Sequence, residues 1–404
     1  MFALMRTLRA STAMPKALRT IPDLANANQI GMSDDTLSDD PLSDDTLSDC
    51  DELLPISVLM SVYNSQAYLQ AAIDSVLQQT FREFEFVIID DCSTDGSWEI
   101  LTAYAAQDRR IRLRRNRENL GLTRSLNQGL AEIRGKYVAR MDADDVSLPD
   151  RFARQYQFME ANPAVGVCGT WTKTIGEGTR HVALGYVNQY PADDKTIRCW
   201  LLFGVGLAHP SVFLRRELLL KAGLTYDNSY RCCQDYDLWT RAYRHFELAN
   251  LPEVLLLYRL HPQQVGQAYS ADLRLLNNRR VWLNLFEQLG LVPTEAELAL
   301  HQSIYQWNFQ STRSYIEAAE RWLSKILQAN AKTLIYDPLA LAKFLGDRWF
   351  VLCYAATGLG FWVWWRFLRS HLTTATDLPW QHRLKFPIKC GIASLRWVKG
   401  SFEF

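Results

Sequence analysis

Three carboxylates stand within four positions where a β-rich run stops: Asp142, Asp144 and Asp145 follow Tyr137 to Met141 directly. Carboxylates this close repel one another, and without a counter-ion at least one is driven toward its neutral form. A divalent cation removes the conflict. Hard oxygen ligands at the end of a strand suit Mg²⁺ or Mn²⁺, which take one or two protein carboxylates and complete their shell with water and substrate phosphates. The plainer reading is a solvated acidic turn, with Ser147 or Asp150 capping the helix that Pro149 opens. The elements around the cluster bear on which reading holds.

Those elements alternate. Ile56 to Val62 is a largely apolar run ending in Tyr63-Asn64, and a helical pattern follows with Tyr68, Leu69, Ala72, Ile73, Val76 and Leu77 on one face. Phe84 to Asp90 is a second apolar strand, closing on Asp90-Asp91 and leading to a helix that ends near Gln107. Ile111 to Arg115 reads as a third strand and Gly121 to Ile133 as a helix, before the strand that ends in the acid cluster. Strand–helix alternation implies a parallel sheet covered on both sides, with ligands at the carboxyl ends of the strands. Tyr63-Asn64, Asp90-Asp91 and Asp142-Ala-Asp144 all fall at such ends. None carries the glycine turn of a dinucleotide fold or a Walker loop, so phosphate charge would be met by a cation and by Arg124. Further on, Val165 to Thr172 and Leu251 to Leu260 read as strands, and Gln234-Asp-Tyr-Asp-Leu-Trp239 as a helix start, with Asp235 near the positive helix end.

Composition narrows the partners. The chain has 404 residues, 48% hydrophobic content and zero formal net charge, which gives no electrostatic footprint for nucleic acid. Eight cysteines without a Cys-x-x-Cys pair read as reduced thiols of a cytosolic protein. Residues 1–54 read as a tail: a basic start lacking a signal-peptide core, then Ser-Asp-Asp-x-Leu repeats over 33–49 that read as a disordered acidic tether.

Taken together, the motifs resemble the family 2 glycosyltransferases, which have a nucleotide-diphospho-sugar-binding GT-A fold. The resemblance rests on Pro55-Ile-Ser-Val-Leu-Met-Ser-Val-Tyr-Asn64, Leu77-Gln-Gln-Thr-Phe81 and Ile88-Ile-Asp-Asp-Cys-Ser-Thr-Asp-Gly96. Also similar are Asn119-Leu-Gly-Leu-Thr-Arg-Ser-Leu-Asn127, Met141-Asp-Ala-Asp-Asp-Val-Ser-Leu-Pro-Asp-Arg151, His209-Pro-Ser and the Gln234 to Trp239 segment. It implies an α/β three-layer sandwich with a mainly parallel central sheet over residues 55–265. Ser61 and Tyr63 would line the uracil and ribose pocket, Asp91 would accept from the base with Asp90 nearby, and Arg124 would face the diphosphate, with Asn127 supporting its helix. Asp142 and Asp144 would form the Asp-x-Asp motif, with Asp144 on Mn²⁺ or Mg²⁺ directly and Asp142 facing ribose or a metal-bound water. Asp235 matches the catalytic base. Gln234 stands where the family often has Glu, which leaves the base between Asp235 and Asp237. His209 and Trp239 are candidates for an acceptor wall or, equally, for the core.

The implied reaction is inverting transfer of a sugar, from a UDP-sugar for preference, to a hydroxyl of a glycan or lipid-linked acceptor in cell-envelope polysaccharide synthesis. The Gln-x-x-Arg-Trp signature of processive synthases is absent after Asp235, which points to single-sugar transfer. The alternatives are a sugar-phosphate nucleotidyltransferase, which would need a Gly-rich basic loop that Tyr63 to Tyr68 lacks, and a nucleotide-sugar-binding protein without turnover.

From about 266 to 404 the spacing turns helical and aromatic, an appendage to the catalytic region. Trp349 to Trp365 is 17 residues without a formal charge, short for a membrane span, which takes about 20. Arg366, Arg369, Arg383, Lys385, Lys389, Arg396 and Lys399 follow, against Asp377 and Glu403. Tryptophans beside basic residues suit peripheral contact through 349–400 at the cytoplasmic face of a membrane. A buried helix and a spanning helix are the competing readings.

Overall fold

The computed structural model describes residues 54–177, 184–262, 264, 269–376 and 380–400. The readings made above for residues 1–53 lie outside the described residues. Leu53–Phe404 forms one compact unit, so the 266–404 region is packed onto the 55–265 region rather than standing apart as a second body. His301 ties this seam by hydrogen bonding the carbonyl of Leu202 at 2.9 Å, as does Asn277 Nδ2 by donating to that of Cys232 at 3.0 Å.

The first half alternates as its pattern predicts: β1 (Ile56–Val62), α1 (Gln66–Leu77), β2 (Phe84–Asp90), α2 (Ser97–Gln107), β3 (Ile111–Arg115), α3 (Leu122–Glu132) and β4 (Tyr137–Asp142). Then come β5 (Val146–Ser147), α4 (Arg151–Ala161), β6 (Val165–Gly176), β7 (Val187–Asn188), α5 (Asp194–Leu201), β8 (Phe213–Arg215), α6 (Arg216–Lys221), α7 (Gln234–Ala242) and β9 (Glu247–Leu260). All nine strands join one sheet in the order β3-β2-β1-β4-β8-β6-β9-β5, with β7 on β6. β1 to β4 run parallel, β8 is inserted antiparallel, and β9 runs parallel to β6. Ile56, Val58, Met60 and Val62 of β1 share a buried cluster with Leu69 and Ile73 of α1 and Phe152 and Met159 of α4. The alternate residue Leu59 points to the other face, where Gly129 of α3 lets the helix close onto it. Helices on both faces complete the three layers.

Six further α-helices follow among the described residues: α8 (Ala271–Gln288), α9 (Glu295–Tyr305), α10 (Arg313–Thr333), α11 (Pro338–Ala355), α12 (Phe361–Arg369) and α13 (Trp380–Gly400). The uncharged run 349–365 is not one helix. α11 ends at Ala355, and Gly360 takes a left-handed φ of +68° before α12 begins, a conformation glycine adopts without strain. This corrects the spanning reading: among the described residues no helix is long and apolar enough to cross a membrane. Trp349, Phe350, Leu352 and Cys353 of α11 are instead buried.

Candidate active site

Parallel pairing brings three strand ends to one edge. Val62 is level with Asp90, and Ser61 with Asp142. The chain leaves β4 at Asp142, turns, and re-enters the sheet through β5, which pairs antiparallel with Leu256 and Leu257 of β9. β9 therefore delivers its own end to the acid cluster. Arg259 donates its backbone N–H to Asp145 Oδ1 at 2.8 Å and its Nε–H to the Asp144 carbonyl at 2.7 Å. His261 places Nε2 2.9 Å from Asp144 Oδ2. These contacts span 114 to 117 residues of chain, and no local signal in the sequence marked His261 or Arg259 as part of the site.

One oxygen from each of Asp142, Asp144 and Asp145 lies within 4.8 Å of the others. Burial pushes the Asp145 carboxyl well above the ordinary range, and the charges of Asp144 and Asp142 add to it. Burial also raises Asp144, helped by Asp142 and opposed by its bond to His261. Asp145 Oδ2 and His261 Nδ1 are buried polar atoms without a partner. A divalent ion fits this donor set, because it relieves the repulsion that burial has intensified. The acidic-turn reading fares less well. Neither proposed cap is made: Asp150 makes no side-chain cap to α4 and instead accepts from Thr80, while Ser147 lies in β5 and accepts from Gln79.

Arg140, two residues before Asp142 on the same strand face, was also missed, although alternation along β4 puts it beside that aspartate. Its Nη2 pairs with Asp142, while Nε and Nη1 are buried without partners. Its positive charge also reaches Asp235 on α7, whose carboxyl burial raises and Arg140 draws back down. Asp235 thus feels the charge of the same buried guanidinium that pairs with Asp142. Asp237 is paired elsewhere: it accepts from Arg241 Nε at 2.9 Å, one turn along the helix, and does not join this group.

The loops after β2 and β3 are held by the aspartates expected to touch nucleotide. Asp91 accepts from Asn116 Nδ2 at 2.8 Å, Leu120 N at 2.9 Å and Gly121 N at 2.8 Å, which fixes the start of α3 and thereby the exposed Arg124 in its first turn. These donors occupy three of about four carboxylate lone-pair sites, and the side chain is buried. The Asp90 side chain is fully buried, bonded to Arg115 Nε at 3.1 Å and accepting from the backbone N–H of Ser93, so it braces the loop. Tyr63 is exposed and Ser61 half-buried at the same edge. Asn127 exchanges hydrogen bonds with the backbone of Tyr226 at 2.8 and 3.0 Å, tying α3 to the segment before α7.

Of the two readings given for His209 and Trp239, the core one describes their burial. Trp239 has no exposed surface, and His209 is buried against it with Nε2 2.7 Å from the Tyr226 hydroxyl. Burial, and then the charge of Arg140, hold the His209 imidazole neutral.

The sequence profile described as Glycosyl transferase family 2 matches residues 57–223. An uncharacterized glycosyltransferase of Haemophilus influenzae is 31% identical over 223 residues, 54% of this chain and 69% of that one. The O-antigen biosynthesis glycosyltransferase WbnJ of Escherichia coli is 34% identical over 222 residues, 54% of this chain and 84% of the relative. The chain belongs to glycosyl transferase family 2. Another relative, the amylovoran biosynthesis glycosyltransferase AmsE of Erwinia amylovora, is 29% identical over 250 residues, 61% of this chain and 87% of that one. As a member of family 2 the protein is an enzyme of the glycosyltransferase kind, which sets aside the nucleotidyltransferase reading. Its three-layer, mainly parallel sheet is the GT-A architecture.

Proposed function

We infer that this family 2 glycosyltransferase moves a single sugar, with inversion, from a nucleotide-diphospho-sugar to a hydroxyl of a glycan or lipid-linked acceptor in cell-envelope polysaccharide synthesis. The donor we favour is a UDP-sugar. The observation that carries the reading is the convergence of Asp142, Asp144 and Asp145 within 4.8 Å, with His261 2.9 Å from Asp144. Asp144 and His261, with Asp142, would hold Mn²⁺ or Mg²⁺. When bound, that ion supplies charge neutralisation for a departing nucleoside diphosphate.

The remaining work falls to the chain itself. Ser61 and Tyr63 would receive the nucleoside, and Arg124 would meet the phosphates from α3. Asp91 would keep that helix start in place and offer its last acceptor site to the base. Asp235 would take the proton of the acceptor hydroxyl as it attacks the anomeric carbon. Its half-buried setting near Arg140 supports this role, since it disfavours the charged form enough to make a better base while Arg140 keeps it ionisable. A single base with no second nucleophile beside it corresponds to inversion. The test is calorimetric titration of donor into wild type and Asp144→Ala, with and without Mn²⁺. Metal-dependent binding in the wild type alone supports the reading, and equal binding in both proteins removes it.

A further inference from the structure

α12 and α13 form an antiparallel pair at the far end of the chain. Phe361 donates its backbone N–H to Ser394 Oγ at 3.0 Å, Trp364 packs edge-on to Phe386 at 5.1 Å, and Phe367 meets the same ring at 5.4 Å. The inner faces of the pair, with Val363, Phe367, Phe386 and Cys390, are buried.

Their outer faces are apolar as well. On α12, Phe361, Trp365 and Leu368 stand at i, i+4 and i+7; on α13, Leu384, Ile388 and Ile392 stand at i, i+4 and i+8. All six are between 49% and 61% exposed. The two stripes adjoin, because Phe361 lies over Gly391, where a side chain's first carbon would come 3.3 Å from its ring. Single exposed apolar residues are ordinary on a protein surface, but two adjoining helical stripes are not.

The border of this face is basic. Arg369 is exposed beside Trp365, its guanidinium 5.1 Å from the ring centroid, and Lys385 and Lys389 are exposed beside the α13 stripe, the Lys389 ammonium 4.5 Å from the Tyr354 ring centroid of α11. Arg366 is instead committed inward, to Glu320 of α10, and anchors α12 to the helices below. Residues 349–400 hold seven Lys or Arg and one Asp, 7 − 1 = +6.

We propose that the paired outer faces of α12 and α13 form a monotopic docking surface for an anionic lipid bilayer, with Phe361, Trp365, Leu368, Leu384, Ile388 and Ile392 entering the interface and Arg369, Lys385 and Lys389 meeting the headgroups. The charge selects this occupant. A second copy of the chain packed face to face would set like-charged borders against each other, whereas anionic lipid complements them. Neither helix is long and apolar enough to span, so the pair lies in the plane of the interface.

The test is co-sedimentation of the full chain with vesicles of phosphatidylcholine alone and of phosphatidylcholine mixed equally with phosphatidylglycerol, without donor or Mn²⁺. The chain sediments with the anionic vesicles and is released by raised salt. Trp365→Ser with Ile388→Ser, and separately Lys385→Gln with Lys389→Gln, each weaken partition by roughly tenfold or more. All four positions are exposed, so thermal unfolding stays at the wild-type temperature; should a double variant unfold early, Lys385→Gln alone still loses about fivefold. A wild type that stays in the supernatant, or variants that bind as it does, overturns the proposal. So does a dimer in size-exclusion chromatography that the Trp365→Ser and Ile388→Ser pair splits, since a second copy would then cover the face. No outcome depends on sugar transfer, so the catalytic reading stands or falls separately.

Discussion

Replacing Asp235 with asparagine isolates the proposed proton transfer from everything else the site does. The two side chains have nearly the same volume, so α7 keeps its packing, and the Arg140–Asp142 pair and the acid cluster are untouched. General base catalysis is worth ~10²- to 10⁴-fold. At 1.36 kcal/mol per factor of ten, that corresponds to about 3 to 5 kcal/mol of transition-state stabilisation. The variant should lose that much kcat while donor affinity holds. A second signature comes from burial. In the fold the Asp235 carboxyl lies above its ordinary value, chiefly through desolvation, so the stability it contributes is fully present below the unfolded-state pKa and is lost as pH rises through the folded one. Asparagine carries no charge to desolvate. The variant should therefore unfold at an equal or higher temperature than wild type at neutral pH, and the acid limb of kcat/KM, which in wild type combines Asp235 with the proposed metal-binding carboxylates, should lose the contribution of Asp235 and change its midpoint. Donor-to-acceptor transfer followed by nucleotide release, together with thermal unfolding across pH, measures all three. Turnover within tenfold of wild type, or an acid limb that keeps the wild-type midpoint in the variant, would refute the assignment of Asp235 as base.

Other expectations follow from the same contacts. His261→Ala removes the neighbour of Asp144 and one proposed ligand, so the Mn²⁺ concentration giving half-maximal donor binding should rise roughly 10- to 100-fold while the metal-free thermal midpoint changes little. Asp91→Ala strands the donors on Asn116, Leu120 and Gly121, and should cost about 2 to 4 kcal/mol in urea unfolding; a loss below about 1 kcal/mol would mean that water replaces the carboxylate freely. His301 has its pKa pushed down to about 3, chiefly by burial, and Trp322 Nε1 donates to its Nδ1 at 3.1 Å, so Nε2 carries the proton given to Leu202. Its ring resonances should stay flat from about pH 5 to 8 in NMR titration, where an ordinary histidine would shift.

Much of the catalytic half could be read from residue order because its signals are local. Buried parallel strands appear as apolar runs, and their carboxyl ends follow at once, so Asp90, Asp91, Asp142 and Asp144 fall at the right edge before any coordinates are known. The acid cluster needed only three neighbouring positions to be noticed. What those aspartates do was not local. Asp90 became a brace because Arg115 of β3 lies level with it in the sheet, and Asp91 a loop anchor because Leu120 and Gly121 return to it. His261 reached Asp144 only through the pairing of β9 with β5, more than a hundred residues along the chain. The 349–365 run shows the same limit from the other side. Its lack of charge was visible in the sequence, but whether it spans, buries or lies exposed depended on Gly360 ending one helix direction and on which face the neighbouring helices left uncovered. Periodicity reports what a segment must hide along its own axis. Which partner hides it, and which polar group is left facing a ligand, is fixed by contacts between segments that composition and spacing do not encode.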